Sequence, residues 1–133
     1  MINLNDSTPA PINGGNNVHF QENASGDVSA YVQRRKVNVS PAAGVVTIDA
    51  SQGDSFWITV NAAITSMVIT NPTDGQEITI IWAQDVTGHS VAVASNLVMG
   101  TLTVSTAANK HTTAKFSYNQ ADTNWYILGQ NNL

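Results

Sequence analysis

The sequence predicts an all-β chain: an antiparallel β-sandwich or jelly-roll-like domain of about eight strands, preceded by an extended N-terminal arm. Three observations predict it. From residue 42 onward, short runs alternate apolar and polar residues with period two, as a half-buried strand requires. Turn-forming residues interrupt those runs about every ten positions, and no segment has helical periodicity. At 133 residues and 14.1 kDa the chain is long enough for one core and too short for two independent ones.

Composition narrows the function. Only 11% of residues are charged, so Asn, Thr, Ser and Gln make up much of the polar surface. Such a surface is easily covered by a neighbour, because few charges must be desolvated. The net charge of -4 argues against a nucleic-acid partner, since phosphate binding needs a basic face. Cysteine is absent, which excludes disulfides, thiolate catalysis and zinc-thiolate sites. Residues 1–6 lack the basic and apolar regions of a signal peptide, and no apolar run is long enough to span a bilayer. A soluble protein without a membrane partner is expected. Asn-x-Ser triplets at Asn5, Asn23 and Asn38 are what an Asn- and Ser-rich chain produces by chance.

In chain order, residues 1–36 form the arm. It is broken at Pro9 and Pro11, at Gly14 and Gly15, and at Gly26, and only residues 18–21 and 28–32 have strand character. Its apolar residues are too sparse to fold alone, so it is expected to lie on another subunit or on a capsid through Ile2, Leu4, Val18, Phe20, Tyr31, Arg34, Arg35 and Lys36. The last three are most of the chain's five basic residues. They form either a solvated hinge or an ionic contact between subunits, a footprint too small for DNA recognition.

Residues 37–133 form the domain. Its expected strands are residues 44–49, 55–60, 66–70, 78–82, 89–95, 101–105, 112–119 and 125–129. The fourth is central: Pro72 and the Asp74–Gly75 pair set the turn before it, and both of its faces carry apolar side chains. The expected core is Phe56, Ile58, Val60, Met67, Ile69, Ile78, Ile80, Trp82, Val91, Val93, Phe116, Tyr118, Tyr126 and Leu128. Opposite parity leaves Trp57, Val68, Ile81 and Ile127 on outer faces. Four large apolar side chains clustered outside would form an oligomer seam; a one-residue slip of register would instead return them to the core.

Chemistry-bearing residues are few. Asp49, Asp54, Asp74, Glu77, Asp85, Asp122, His89 and His111 are the candidates for acid-base work, but most lie in turns, where Asp caps its own backbone. No nucleophile motif or metal-ligand spacing connects them, so no enzyme, no cofactor and no resident metal are expected. Asp85 and His89 would need further ligands to hold an ion. His19, beside Phe20, is expected to be packed or solvated. A carbohydrate-binding role would rest on Trp57, Trp82, Trp125 and Tyr126 as stacking platforms.

Several runs together resemble a β module of tailed-bacteriophage virion proteins. They are residues 45–60, with an Asp-x-Ser turn at Asp49–Ser51; residues 71–80, which open Asn71, Pro72, Thr73, Asp74, Gly75, Gln76; residues 84–88, Gln84, Asp85, Val86, Thr87, Gly88; and Phe116 and Tyr118 with the Trp125–Tyr126 pair. Arm segments 2–6, 17–21 and 25–32 are similar to segments of such proteins too. The resemblance implies a non-enzymatic and commonly trimeric surface module of a tail fibre, spike, baseplate or capsid. A compact domain plus an arm fits a homotrimeric capsid decoration (cement) protein, which contacts the major capsid protein or other virion proteins at the virion surface after synthesis in the host cytoplasm. Its arm, costing about 1–2 kcal/mol per residue to order, would settle only on an assembled shell. The alternative it implies is a receptor-binding fibre, spike or baseplate module that takes host glycans.

Overall fold

The computed structural model describes residues 35–133 in full and, upstream, the backbone of three strands, β1 (Ala10–Pro11), β2 (Val18–Glu22) and β3 (Val28–Val32). These three form an antiparallel sheet in the order β1-β2-β3. The expected arm contacts of Ile2, Leu4 and Arg34 lie outside the described residues, as do the side chains of Val18, His19, Phe20 and Tyr31.

Eight strands follow: β4 (Lys36–Val39), β5 (Val45–Asp49), β6 (Ser55–Val60), β7 (Ser66–Thr70), β8 (Glu77–Gln84), β9 (Leu97–Val98), β10 (His111–Asn119) and β11 (Asn124–Asn132). The all-β expectation holds: among the described residues the one helical element is a 3-10 turn at Ala50–Gln52. The antiparallel expectation does not. A six-stranded sheet runs β4-β6-β8-β10-β11-β9, and within it β4 with β6, β6 with β8, and β11 with β9 are parallel. The smaller β5-β7 sheet is parallel as well. Among these eight strands only β8, β10 and β11 form an antiparallel run.

Parallel pairing arises because the chain winds. Strands β4 to β8 alternate between the two sheets, so β4 pairs with β6, β5 with β7 and β6 with β8, none with its successor. Returning to the same sheet takes a loop, a strand in the other sheet and a second loop, which satisfies the length that a parallel crossover demands without a helix. Period-two alternation is the same in such a coil as in a hairpin.

One hydrophobic core lies between the layers. Val46, Ile48 and Met67 from the small sheet pack with Phe56, Ile58, Val60, Ile78, Ile80, Trp82, Phe116, Tyr118 and Trp125 from the large one. Each large side chain removed from water contributes about 1.5–3 kcal/mol. Two expected core residues are outside: Tyr126 is 39% exposed and Leu128 is 54% exposed. Trp125 takes the inward position instead, its ring 4.9 Å from that of its cross-strand partner Tyr118. A β-bulge follows at Leu128, since Phe116 pairs with Ile127 while Lys115 pairs with Gly129.

Residues 89–95 and 101–105 are not strands, beyond one bridge of Val91 to Ile64. They are irregular but not loose, because Ala94, Leu102 and Val104 are buried in the core. Conversely β4, which sequence pattern assigned to the arm and domain start without strand character, forms the edge of the large sheet.

Candidate functional site

The polar residues of the recurrent motifs are turned toward their own loops. Asp49 caps the 3-10 turn, accepting hydrogen bonds from Ser51 N (3.0 Å), Ser51 Oγ (2.6 Å) and Asn71 Nδ2 (3.0 Å). Gln76 Nε2 donates to the Ala50 carbonyl at 2.7 Å and its Oε1 accepts from Thr73 N at 3.1 Å, tying the Pro72 turn to the turn beside it. Asp74 accepts from Gln120 N at 3.0 Å, and Gly75 N donates to the Tyr118 carbonyl at 2.8 Å.

The next motif is built likewise. Gln84 is buried, and its amide donates to the carbonyls of His89 and Ser105, each at 2.8 Å, while its oxygen accepts from His89 N at 2.8 Å. Asp85 accepts from Thr87 N (2.8 Å) and Gly88 N (3.1 Å), and its other oxygen lies 3.1 Å from His89 Nε2. Gly88 is required here: its φ is +80°, and a Cβ would lie 2.4 Å from the Thr106 carbonyl oxygen.

These bonds hold the carboxylates ionised. The Ser51 and Asn71 side chains keep the Asp49 carboxyl below its ordinary range, and the Thr87 backbone N–H does so first for Asp85. Asp122 is lowered by the hydroxyl of Tyr126, whose own ionisation is pushed up by that contact. A general acid needs the opposite shift. Among the described residues no three His, Cys, Asp or Glu side chains converge as a metal would require.

A different region is open. The outer face of the six-stranded sheet carries a row in register, Asn38, Trp57, Ile81, Thr113 and Asn131, running across β4, β6, β8, β10 and β11. Its central side chains, Trp57, Ile81 and Thr113, are half-buried. Trp57 is half-buried within this face: Lys36 Nζ sits 4.8 Å from its ring centre, and the His111 ring meets it edge-on at 5.4 Å. The two rings lean together over β8, where small Ala83 lies between Thr59 and His111 in the next row. Beside them an open groove of about 300 Å³ is lined by Thr79, Thr113, Lys115, Gln130 and Asn131, with Gly129 at its wall. Lys115 pairs with Glu77 at 3.5 Å.

Of the four expected seam residues, the structure therefore brings two together. Trp57 and Ile81 are direct cross-strand partners. Val68 is exposed on the small sheet, beside Thr47, and Ile127 packs against the core. Of the basic arm residues, Lys36 belongs to the Trp57 site, while the Arg35 carbonyl accepts from Asp54 N and Ser55 N. Trp82 and Trp125 are fully buried and offer no stacking platform; Trp57 and Tyr126 remain accessible. Sequence reasoning missed that Lys36 and His111 meet at Trp57.

No family model and no characterised protein sequence matches this chain. Among solved structures it is similar to one described as "Structure of a chaperone-substrate complex", with a TM-score of 0.48 and 18% identity, over 90% of this chain and 20% of that chain. The chain thus spans about one fifth of that chain's length. A likeness at this level carries no argument about activity.

Proposed function

We propose that this chain is a non-enzymatic structural protein of a tailed-bacteriophage virion, a homotrimeric capsid decoration protein that acts by making contacts. The observation that carries the reading is the Trp57–Ile81 pair at the centre of the outer face of the six-stranded sheet. The side chains of the same strands on the inner face, Phe56, Ile58, Ile80 and Trp82, are sealed in the core, so the pair is held in place from beneath. An aromatic anchor within a polar rim is the pattern of an association surface. The motif carboxylates support the same reading, because each is committed to holding a loop.

In this reading the two layers act as a short sandwich whose small β5-β7 sheet closes the core, leaving the large sheet to face its copies. The assembled trimer then meets the major capsid protein or other virion proteins at the virion surface, with the arm adding contact area there. Neither nucleic acid nor membrane has a part in this.

One observation favours a second reading, a fibre, spike or baseplate module that binds host glycans. Trp57 presents part of its ring beside a groove whose Thr, Gln and Asn side chains match sugar hydroxyls in hydrogen-bonding character. Light scattering of the full chain, with sedimentation against empty capsids, tests both. A trimer mass that Trp57→Ala converts to monomer, with capsid binding lost in parallel, is expected. A monomeric wild-type chain retained on immobilised glycans, and released by the same substitution, would replace the decoration reading with the second.

A further inference from the structure

We propose that the free edge of β4 takes up β3 from a second copy of this chain, so that neighbouring copies exchange their N-terminal strands. The proposal rests on the assembly reading above and names the edge through which the arm acts.

The core is incomplete at β4 alone. One inner row runs Val37, Phe56, Ile80, Ala114, and the next runs Val39, Ile58, Trp82, Thr112. The β6, β8 and β10 members of both rows are between 0% and 1% exposed, whereas Val37 and Val39 are only partly buried although they face the same core. Nothing described pairs with the outward edge of β4, whose backbone groups on that side are an open template. One more strand there would complete both rows.

The chain holds a matching free edge. β3 ends the β1-β2-β3 sheet, pairing with β2 on one side only among the described residues. It lies three residues upstream of β4, a spacing that ordinarily closes as a hairpin, and yet β3 and β4 are unpaired. The lead into β4 gives the reason. The Arg35 carbonyl accepts from Asp54 N at 3.1 Å and Ser55 N at 3.2 Å, and a Cβ on Gly53 would lie 2.6 Å from that oxygen, so Arg35 is already fixed against the start of β6. Two free edges of one chain that do not pair with each other are open to pairing between chains.

The absence of cysteine makes the test clean. A chain carrying Asn38→Cys is mixed in turn with chains carrying Val28→Cys, Ser29→Cys, Ala30→Cys, Tyr31→Cys or Val32→Cys, and the mixtures are oxidised mildly. A disulfide needs Cα atoms within about 7 Å, so the series finds whichever β3 position lies opposite Asn38. A disulfide-linked heterodimer as the main product of one mixture is expected. Heterodimer in no mixture would overturn the exchange. So would closure of the bond within single chains that carry both substitutions. A trimer by light scattering with no heterodimer would sink the exchange while leaving the outer-face assembly intact, which separates the two claims.

Discussion

The two faces of the six-stranded sheet are made by the same strands and differ in what they are for. Along β6 and β8 the inner positions Phe56, Ile58, Ile78, Ile80 and Trp82 are sealed, while the outer positions Trp57, Thr59, Thr79 and Ile81 are half-buried or exposed. The outer face nonetheless holds a Trp and an Ile at its centre. A face that solubility alone had shaped would carry polar side chains there. If the outer face makes the proposed contacts, substitutions on the two sides should separate in what they change.

The largest effect is expected from Trp82→Ala, which empties the centre of the inner face. A large aromatic-to-Ala change in a core costs about 3–5 kcal/mol, part lost transfer energy and part cavity. Thermal unfolding checks it: a fall in Tm under a few degrees would mean that the inner face is less tightly packed than its burial implies. Next comes Gln84→Leu. It keeps the volume but strands His89 N, the His89 carbonyl and the Ser105 carbonyl, and a buried polar group left unpaired costs about 1–3 kcal/mol. Amide exchange at His89 should accelerate by at least about tenfold, which corresponds to about 1.4 kcal/mol.

How much of this was legible in the sequence depends on which interactions were local. Trp57 and Ile81 were assigned outside and Phe56, Ile58, Ile80 and Trp82 inside from parity alone, because a strand's faces are fixed by the backbone. The turn at Pro72–Gly75 was legible for the same reason. Parallel pairing was not, since β4, β6 and β8 find each other across whole turns of the coil and their alternation matches a hairpin's. The closing strand was read one residue out. Nothing in its alternating apolar run distinguishes Trp125 inward from Tyr126 inward until Tyr118 is known to lie opposite. The Lys36–Trp57–His111 line was invisible, as it joins residues from three separate strands.

Trp57→Ala sharpens the contrast from the outer side. The residue contacts Lys36 and His111 at an accessible position, where a cation–π pair is worth about 0.5–1 kcal/mol. Its removal should change unfolding free energy by about 1 kcal/mol, several times less than Trp82→Ala, while abolishing self-association measured by light scattering. Equal losses of stability for the two tryptophans would erase the division between faces.

The smallest effect belongs to the rim, where acidity rather than packing is the variable. The carboxyls of Asp49, Asp85 and Asp122 are held below their ordinary range, chiefly by the Ser51 side chain, the Thr87 backbone N–H and the Tyr126 hydroxyl respectively. A carboxyl lowered in the folded state contributes stability above its unfolded value, near 3.8 for Asp, and loses that contribution as pH falls through the lower folded value. The rim should therefore weaken only in acid, below about pH 4, while the inner face, whose described core side chains include no carboxylate, does not respond. Asp85→Asn should make the acid limb of a Tm-against-pH curve shallower by lowering the neutral plateau slightly toward the acid value, because a neutral Asn oxygen accepts from Thr87 N and Gly88 N less strongly than a carboxylate does. Tyr126 has the reverse sign. Its hydroxyl is raised above 10.0 by Asp122, so its share is present at neutral pH and is lost as pH rises through that higher value. Tyr126→Phe should accordingly flatten the alkaline limb, and an alkaline limb unchanged by Phe would mean that the Asp122 contact does not persist in solution.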